Sequence, residues 1–282
     1  MDLFSVTTNN AASIALETLT SVTSQMNGAE KQISTGYRVA GATDDGAAFA
    51  VAQRVRSDVA TLTTANQQIG TASSMVGTTI TSLTDVSNTL TSIRSTMTDL
   101  ANGGLDATSK ANYNAQLKQL VTQVSSYIED STYNGKTLIG DVNGGTTSAI
   151  VLVRNEVGTT YGIAVWSGKT NVTTSLAAAT SSTLTAGYFQ TALGSSGMIT
   201  NVANLVGTSL NSFGSISNYL ENQVSYNSDK IDSLNSGLGT LVDANLAQEA
   251  AQLAALQIQQ QLATQSLSLA NQAPSMLLKL FQ

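Results

Sequence analysis

Apolar residues recur every three or four positions over most of this chain, a spacing that can be buried only if α-helices pack along their lengths. Near the start, Leu16, Leu19, Val22, Met26, Ala29 and Ile33 form such a stripe. A longer one runs through Ala48, Ala52, Val55, Val59, Leu62, Ile69, Val76, Ile80 and Leu83. It continues to Val86, Leu90, Ile93, Met97 and Leu100, with the polar residues Asn66 and Ser73 on its seam. A third has Tyr113, Leu117, Leu120, Val124 and Tyr127. The pattern returns with Ile216, Leu220, Val224, Asn227, Ile231, Leu234, Leu238 and Leu241. It persists more thinly through Leu253, Leu256, Ala263, Leu267 and Ala270 to Leu277 and Phe281. No single helix buries its own stripe, so these stripes must face one another. The expected fold is mainly α, a long antiparallel helical bundle or coiled coil formed by the N- and C-terminal halves.

Turn chemistry marks the breaks. Ser34-Thr35-Gly36-Tyr37 and Gly41 to Gly46 separate the first two runs, with Thr43 or Asp44 as N-cap of the second. Asn102-Gly103-Gly104 closes the second run and Asn134-Gly135 the third. A single proline, Pro274, suits long unbroken helices. The centre differs. Ala149 to Val153 is β-branched and apolar, Tyr161, Ile163 and Val165 alternate with Gly162, Ala164 and Trp166, and Asn155-Glu156-Val157-Gly158 supplies a turn. A small β-hairpin is expected there. From Gly168 to Gly197 the Thr/Ser/Gly-rich sequence reads as a surface loop or small β excursion, so short insertions around Thr170–Ser182 should be tolerated.

Composition excludes several function classes. Without Cys or His there is no disulfide, no zinc or haem site of the usual kind and no Ser-His or Cys-His nucleophile. Twelve Lys and Arg against 18 Asp and Glu give a net charge of −6, a poor match for nucleic acid. No apolar run is long enough to span a bilayer, and the early sequence lacks the basic and apolar regions of a cleavable secretory signal. Charged residues are only 11%, against ~25% in ordinary soluble domains. Ser, Thr, Asn and Gln fill the difference, which has two readings, a surface that pairs with other chains without desolvating charge or an ordinary compositional bias.

Few candidate sites stand out. Asp44-Asp45 is a carboxylate pair, but two acids fall short of the six or more oxygens of a hard-cation site, and a helix cap near a positive helix end accounts for them. Ser34 with Lys31 carries no weight as a catalytic dyad in so Ser-rich a chain. Met26, Met75 and Met97 fit helical faces as packing residues. Asn66 has two readings, a register-fixing polar residue or a tolerated one at a loose point. No catalytic, cofactor or metal residue is assigned.

The stretch Ile33-Ser34-Thr35-Gly36-Tyr37-Arg38-Val39, followed by Asp44-Asp45-Gly46-Ala47-Ala48-Phe49-Ala50-Val51-Ala52, resembles bacterial flagellin. Leu90, Ile93 and Arg94 resemble part of that family's L-Q-R-[VI]-R-E-L motif. Ser131-Thr132-Tyr133-Asn134-Gly135-Lys136-Thr137-Leu138 resembles its T-x-F-N-G-x-x-L, and Leu269-Ala270-Asn271-Gln272-Ala273-Pro274 through Leu280 its closing A-N-x-x-P segment. The resemblance covers roughly 1–140 and 200–282. It implies a short form lacking large outer domains, a structural subunit that polymerises into the flagellar filament for motility. It implies too an inner domain built from both termini. Together with the stripes and turns, this divides the chain into residues 1–42 with 243–282, an inner helical domain; 43–140 with 198–242, a coiled-coil domain; and 141–197, a hairpin insert. It also implies export by the flagellar type III system and a secreted, extracellular place in the flagellum. The partners it implies are copies of the chain, alone or with sibling flagellins, hook-associated junction and cap proteins, and an export chaperone. A hook–filament junction protein of the same coiled-coil design is the alternative.

Two expectations complete this reading. Gly36, Arg38, Asp44, Asp45, Leu90, Ile93 and Arg94 are the family-motif residues. Because Ser92, Ser95 and Thr96 stand where the family has Arg, Glu and Leu, the resemblance implies weak binding to animal Toll-like receptor 5. The thin stripes of 1–35 and 246–282 make marginal helices. Leu16, Leu19, Val22, Leu267, Leu277 and Phe281 are expected to be covered when neighbouring subunits assemble.

Overall fold

The computed structural model describes residues 9–140, 149–181 and 184–280. Its elements are α1 (Asn10–Thr35), α2 (Gly46–Leu100), α3 (Ala107–Glu129), β1 (Ile150–Val153) and β2 (Thr160–Ile163). They continue with a π-turn (Lys169–Thr173), α4 (Thr174–Ala177), a 3₁₀ turn (Ala178–Thr180), α5 (Ala186–Leu193), α6 (Met198–Val242) and α7 (Leu246–Leu280). The mainly helical class with one small antiparallel sheet is therefore as the spacing predicts. Long helices form from this Ser- and Thr-rich sequence because their apolar stripes are buried, while many hydroxyls bond within their own helix. Thr18, Thr63, Thr84 and Thr122 each donate to the carbonyl four residues back at 2.8–2.9 Å. Each polar side chain is thereby satisfied without a partner elsewhere.

Contacts gather the chain into two compact units, residues 1–57 with 232–282 and residues 58–231. The borders fall inside α2 and α6, because a continuous helix can contribute to both units.

In the first unit α1 pairs with α7. Asn9 caps α1 by accepting from the Ala12 amide, and its Nδ2 donates to the Ala270 carbonyl at 2.8 Å. At the other end Ala244 N donates to Gly36 O at 2.9 Å, so the two helices run antiparallel. Val22 and Ala29 are buried with Leu256, and Met26 and Leu253 pack around them.

In the second unit one core joins residues of α2, α3, the hairpin, the 169–193 helices and α6. Ile69, Leu83, Ile93, Leu117, Ile128, Ile163 and Phe189 are all inaccessible or nearly so. Asp106 caps α3 through Ser109 N and Oγ. Asn134-Gly135 makes a left-handed tight turn bridged by Tyr133 and Lys136, while α3 itself stops earlier, at Glu129. The hairpin pairs Ile150 with Ile163 and Val153 with Thr160, and Gly158 (φ +79°) completes the turn expected at Asn155–Gly158.

The segment after the hairpin corrects the sequence reading. It is not a surface loop: Val172, Leu176 and Ala179 are inaccessible, and the turns carrying them pack against α3. Gly168 and Gly197 anchor this segment at close backbone approaches. A Cβ at Gly168 would stand 2.5 Å from the Ile139 carbonyl oxygen, and one at Gly197 2.2 Å from that of Ala192. Contrary to the expectation from sequence, short insertions around Thr170–Ser182 would displace these buried residues and should not be tolerated.

Candidate assembly surface

The family-motif residues at 36–45 build the joint that brings both chain ends together. Gly36 ends α1 in the left-handed conformation (φ +74°), with its N–H donating to Gln32 O at 2.8 Å. A glycine suits this position because other residues adopt that conformation only with strain. Tyr37 then bridges Asp243, and Arg38 N donates to Val242 O at 2.8 Å. The Arg38 guanidinium donates to Leu241 O at 2.7 Å. Beneath this crossing Val39, Ala48, Ala52 and Val242 form a small core flanked by Phe49, Leu238 and Leu241.

Two carboxylates fix the loop, with roles other than those the sequence suggests. Asp45, and neither Thr43 nor Asp44, caps α2, its Oδ1 accepting from Ala47 N and Ala48 N at 3.0 and 2.9 Å. Asp44 instead accepts from Lys31 Nζ at 2.7 Å and from the amides of Ala40 and Gly41. Lys31, with the loop amides, holds the Asp44 carboxyl below the usual carboxylate range. Lys31 and Ser34 thus form no dyad.

Leu90 and Ile93 are buried in the second unit's core, and Arg94 is exposed beside them on α2. The sequence-derived assembly residues separate in the same way. Val22 is already covered by α7, Leu19 and Leu267 are half-buried, and Leu16 is 55% exposed. Phe281 and the Leu277 side chain lie outside the described residues. The structure adds what periodicity did not reveal. Ile258, Leu262 and Leu269 on α7 are 60–61% exposed and share one helix face, and Ile14 on α1 is equally bare. Their stripe is invisible in the α7 sequence because a second stripe, through Leu256 and Ala263, faces α1. Two apolar faces on one helix cancel much of the periodic contrast. An isolated exposed leucine is ordinary, whereas three large apolar residues on one face of α7 make an exposed apolar stripe.

Among the described residues no group of three or more acids could hold a metal ion, and no helix is long and apolar enough to cross a membrane. The model of the bacterial flagellin N-terminal helical region matches residues 6–144, and that of the C-terminal helical region matches 197–281. The chain belongs to the bacterial flagellin family. This flagellin is 30% identical to flagellin FljK of Caulobacter vibrioides over the full length of both chains, and 28% identical to the flagellin of Brucella melitensis over 99% of each. A Bacillus cereus flagellin structure superposes with a TM-score of 0.50 at 19% identity, covering 57% of this chain and 88% of that one. A Vibrio parahaemolyticus protein named as flagellar hook-associated gives 0.55 at 16% identity, covering 71% and 100%. Identity so low shows a shared fold alone. The protein is a structural subunit of the flagellar filament, not an enzyme.

One ion pair of this flagellin gives a pH dependence. Lys230 donates to Glu156 at the hairpin turn and is the main cause holding the Glu156 carboxyl below its ordinary pKa. A carboxylate with a lowered folded-state pKa contributes stability that is present above its unfolded value of about 4.5 and lost as pH falls through the lower folded value. Urea unfolding at pH 7 and pH 3 should therefore show the native chain losing more stability at acid pH than Glu156→Gln does.

Proposed function

We propose that the filament is made by covering Ile14 and Leu16 on α1 and Ile258, Leu262 and Leu269 on α7 with neighbouring copies of the chain. The observation that supports this reading is the exposure of these residues on two helices already paired with each other. In this reading residues 1–42 with 243–282 are the inner domain, 43–140 with 198–242 the coiled-coil domain, and 141–197 the hairpin insert. Contacts between unlike surfaces whose rotation does not close a ring continue into a helical polymer. Export is by the flagellar type III system with the help of a chaperone, and the polymer lies outside the cell, bounded by hook-associated junction and cap proteins. Purified protein added to filament seeds should lengthen into helical filaments under the electron microscope. Closed oligomers or no growth would contradict a filament subunit.

The same reading bears on recognition by animal Toll-like receptor 5. Arg94 is exposed, but Ser92 and Ser95 are small, and the Thr96 hydroxyl is buried, donating to Ser92 O. Few residues carry most of an interface's energy, and large or charged anchors dominate among them. Receptor-reporter cells should respond to this protein far more weakly than to an enterobacterial flagellin at equal dose.

A further inference from the structure

The core of the second unit leaves the register between α2 and α6 under-specified by its apolar side chains. On α2, Ile69, Val76, Leu83, Leu90 and Met97 recur at every seventh residue, and on α6 so do Ile199, Val206, Phe213 and Leu220. All are buried in one cluster. Sliding one helix by a heptad, ~10 Å, would still set apolar residues against apolar ones.

The next member of the α6 series is Asn227, which is completely inaccessible. One of its Nδ2 hydrogens goes to Asn66 Oδ1 on α2 at 2.8 Å, and the other to the Arg154 carbonyl beside the hairpin turn at 3.0 Å. Its Oδ1 accepts from Gln223 Nε2 at 2.9 Å. Around this amide the Arg154 guanidinium donates to the Tyr219 hydroxyl at 3.1 Å, and Tyr219 stacks on Tyr161 of β2 with ring centroids 4.4 Å apart. Lys230, three residues on, holds Glu156. Two helices and the hairpin therefore meet at a single buried amide.

We propose that Asn227 is a positioning residue that selects one register of α2 against α6 and seats the hairpin in it. A heptad slide would leave the apolar seam satisfied but strand the Asn227 donors away from Asn66 and Arg154. A buried polar group without its partner is costly, and single buried asparagines fix register in other helical assemblies for this reason. The apolar residues supply cohesion, and the asparagine pair supplies uniqueness. This inference concerns the folded chain and holds whether or not the assembly surface above is correct.

The chain has no cysteine, so cysteines introduced at exposed Gln67 and Ser225 would carry a pair of spin labels in the full-length protein. The parent should show one narrow distance. Asn227→Leu, which completes the apolar series, should stay helical but add a second, displaced distance population. Its hairpin amides at 150–163 should exchange about tenfold faster or more. Asn66→Leu should act in the same direction and serves if Asn227→Leu fails to fold. Thr79→Val is the control: Thr79 is as buried as Asn227, yet its hydroxyl bonds only to Met75 O in its own helix. A single parental distance with unchanged hairpin exchange in the asparagine variants would overturn the proposal. So would a Thr79→Val variant that changes both readouts as they do.

Discussion

Ile258→Glu combined with Leu262→Glu should abolish polymerisation while leaving the monomer's helicity and unfolding midpoint almost unchanged. Both side chains are 60% exposed on α7, and surface substitutions of this kind shift stability within about ±0.5 kcal/mol. In the polymer the same positions would place carboxylates against a neighbouring subunit, where desolvating an unpaired ion costs several kcal/mol. Each 1.4 kcal/mol is a factor of ten, so the critical concentration should rise about a hundredfold or more. Sedimentation after seeding reads this directly. Removing 272–282 should likewise stop polymerisation and leave the second unit folded.

The second large effect lies where the sequence reads as loop. Inserting two residues after Leu176 rotates the downstream side chains by about 200° around the helix axis and carries Ala179 off the face it shares with Val172 and Leu176. Leu176→Ala alone should cost about 2–5 kcal/mol, the range for a fully buried leucine replaced by alanine. Urea denaturation should show the loss at Leu176, with Thr174→Ala, an exposed neighbour, as the near-neutral control.

These cases show why some of the molecule is legible in its sequence and some is not. Spacing alone places Ile93, Leu117 and Val124 in the core, whereas the inaccessible Ile128 stands where the spacing expects Tyr127, which is only partly buried. The hairpin is legible because alternation, turn residues and a glycine at positive φ agree over a few residues. Val172, Leu176 and Ala179 escape notice because they lie on three successive single turns of differing helical geometry among threonines and small residues, too short for a period to emerge. At Thr43-Asp44-Asp45 three adjacent residues could each cap a helix, and only the loop's bonds to Lys31 and the nearby amides assign Asp44 elsewhere. Asn227 falls on the apolar stripe of α6, but its partner Asn66 and the Arg154 carbonyl lie 161 and 73 residues away. No local pattern links them.

Assembly through the paired terminal helices requires that neighbouring subunits cover their bare apolar residues. Hydroxyl-radical footprinting of monomer and seeded polymer measures side-chain coverage at each of these residues. Oxidation of Ile14, Leu16, Ile258, Leu262 and Leu269 should fall about tenfold or more on polymerisation, with Val22 and Leu256 low in both states. Filaments in which those five residues remain as reactive as in the monomer would contradict the account.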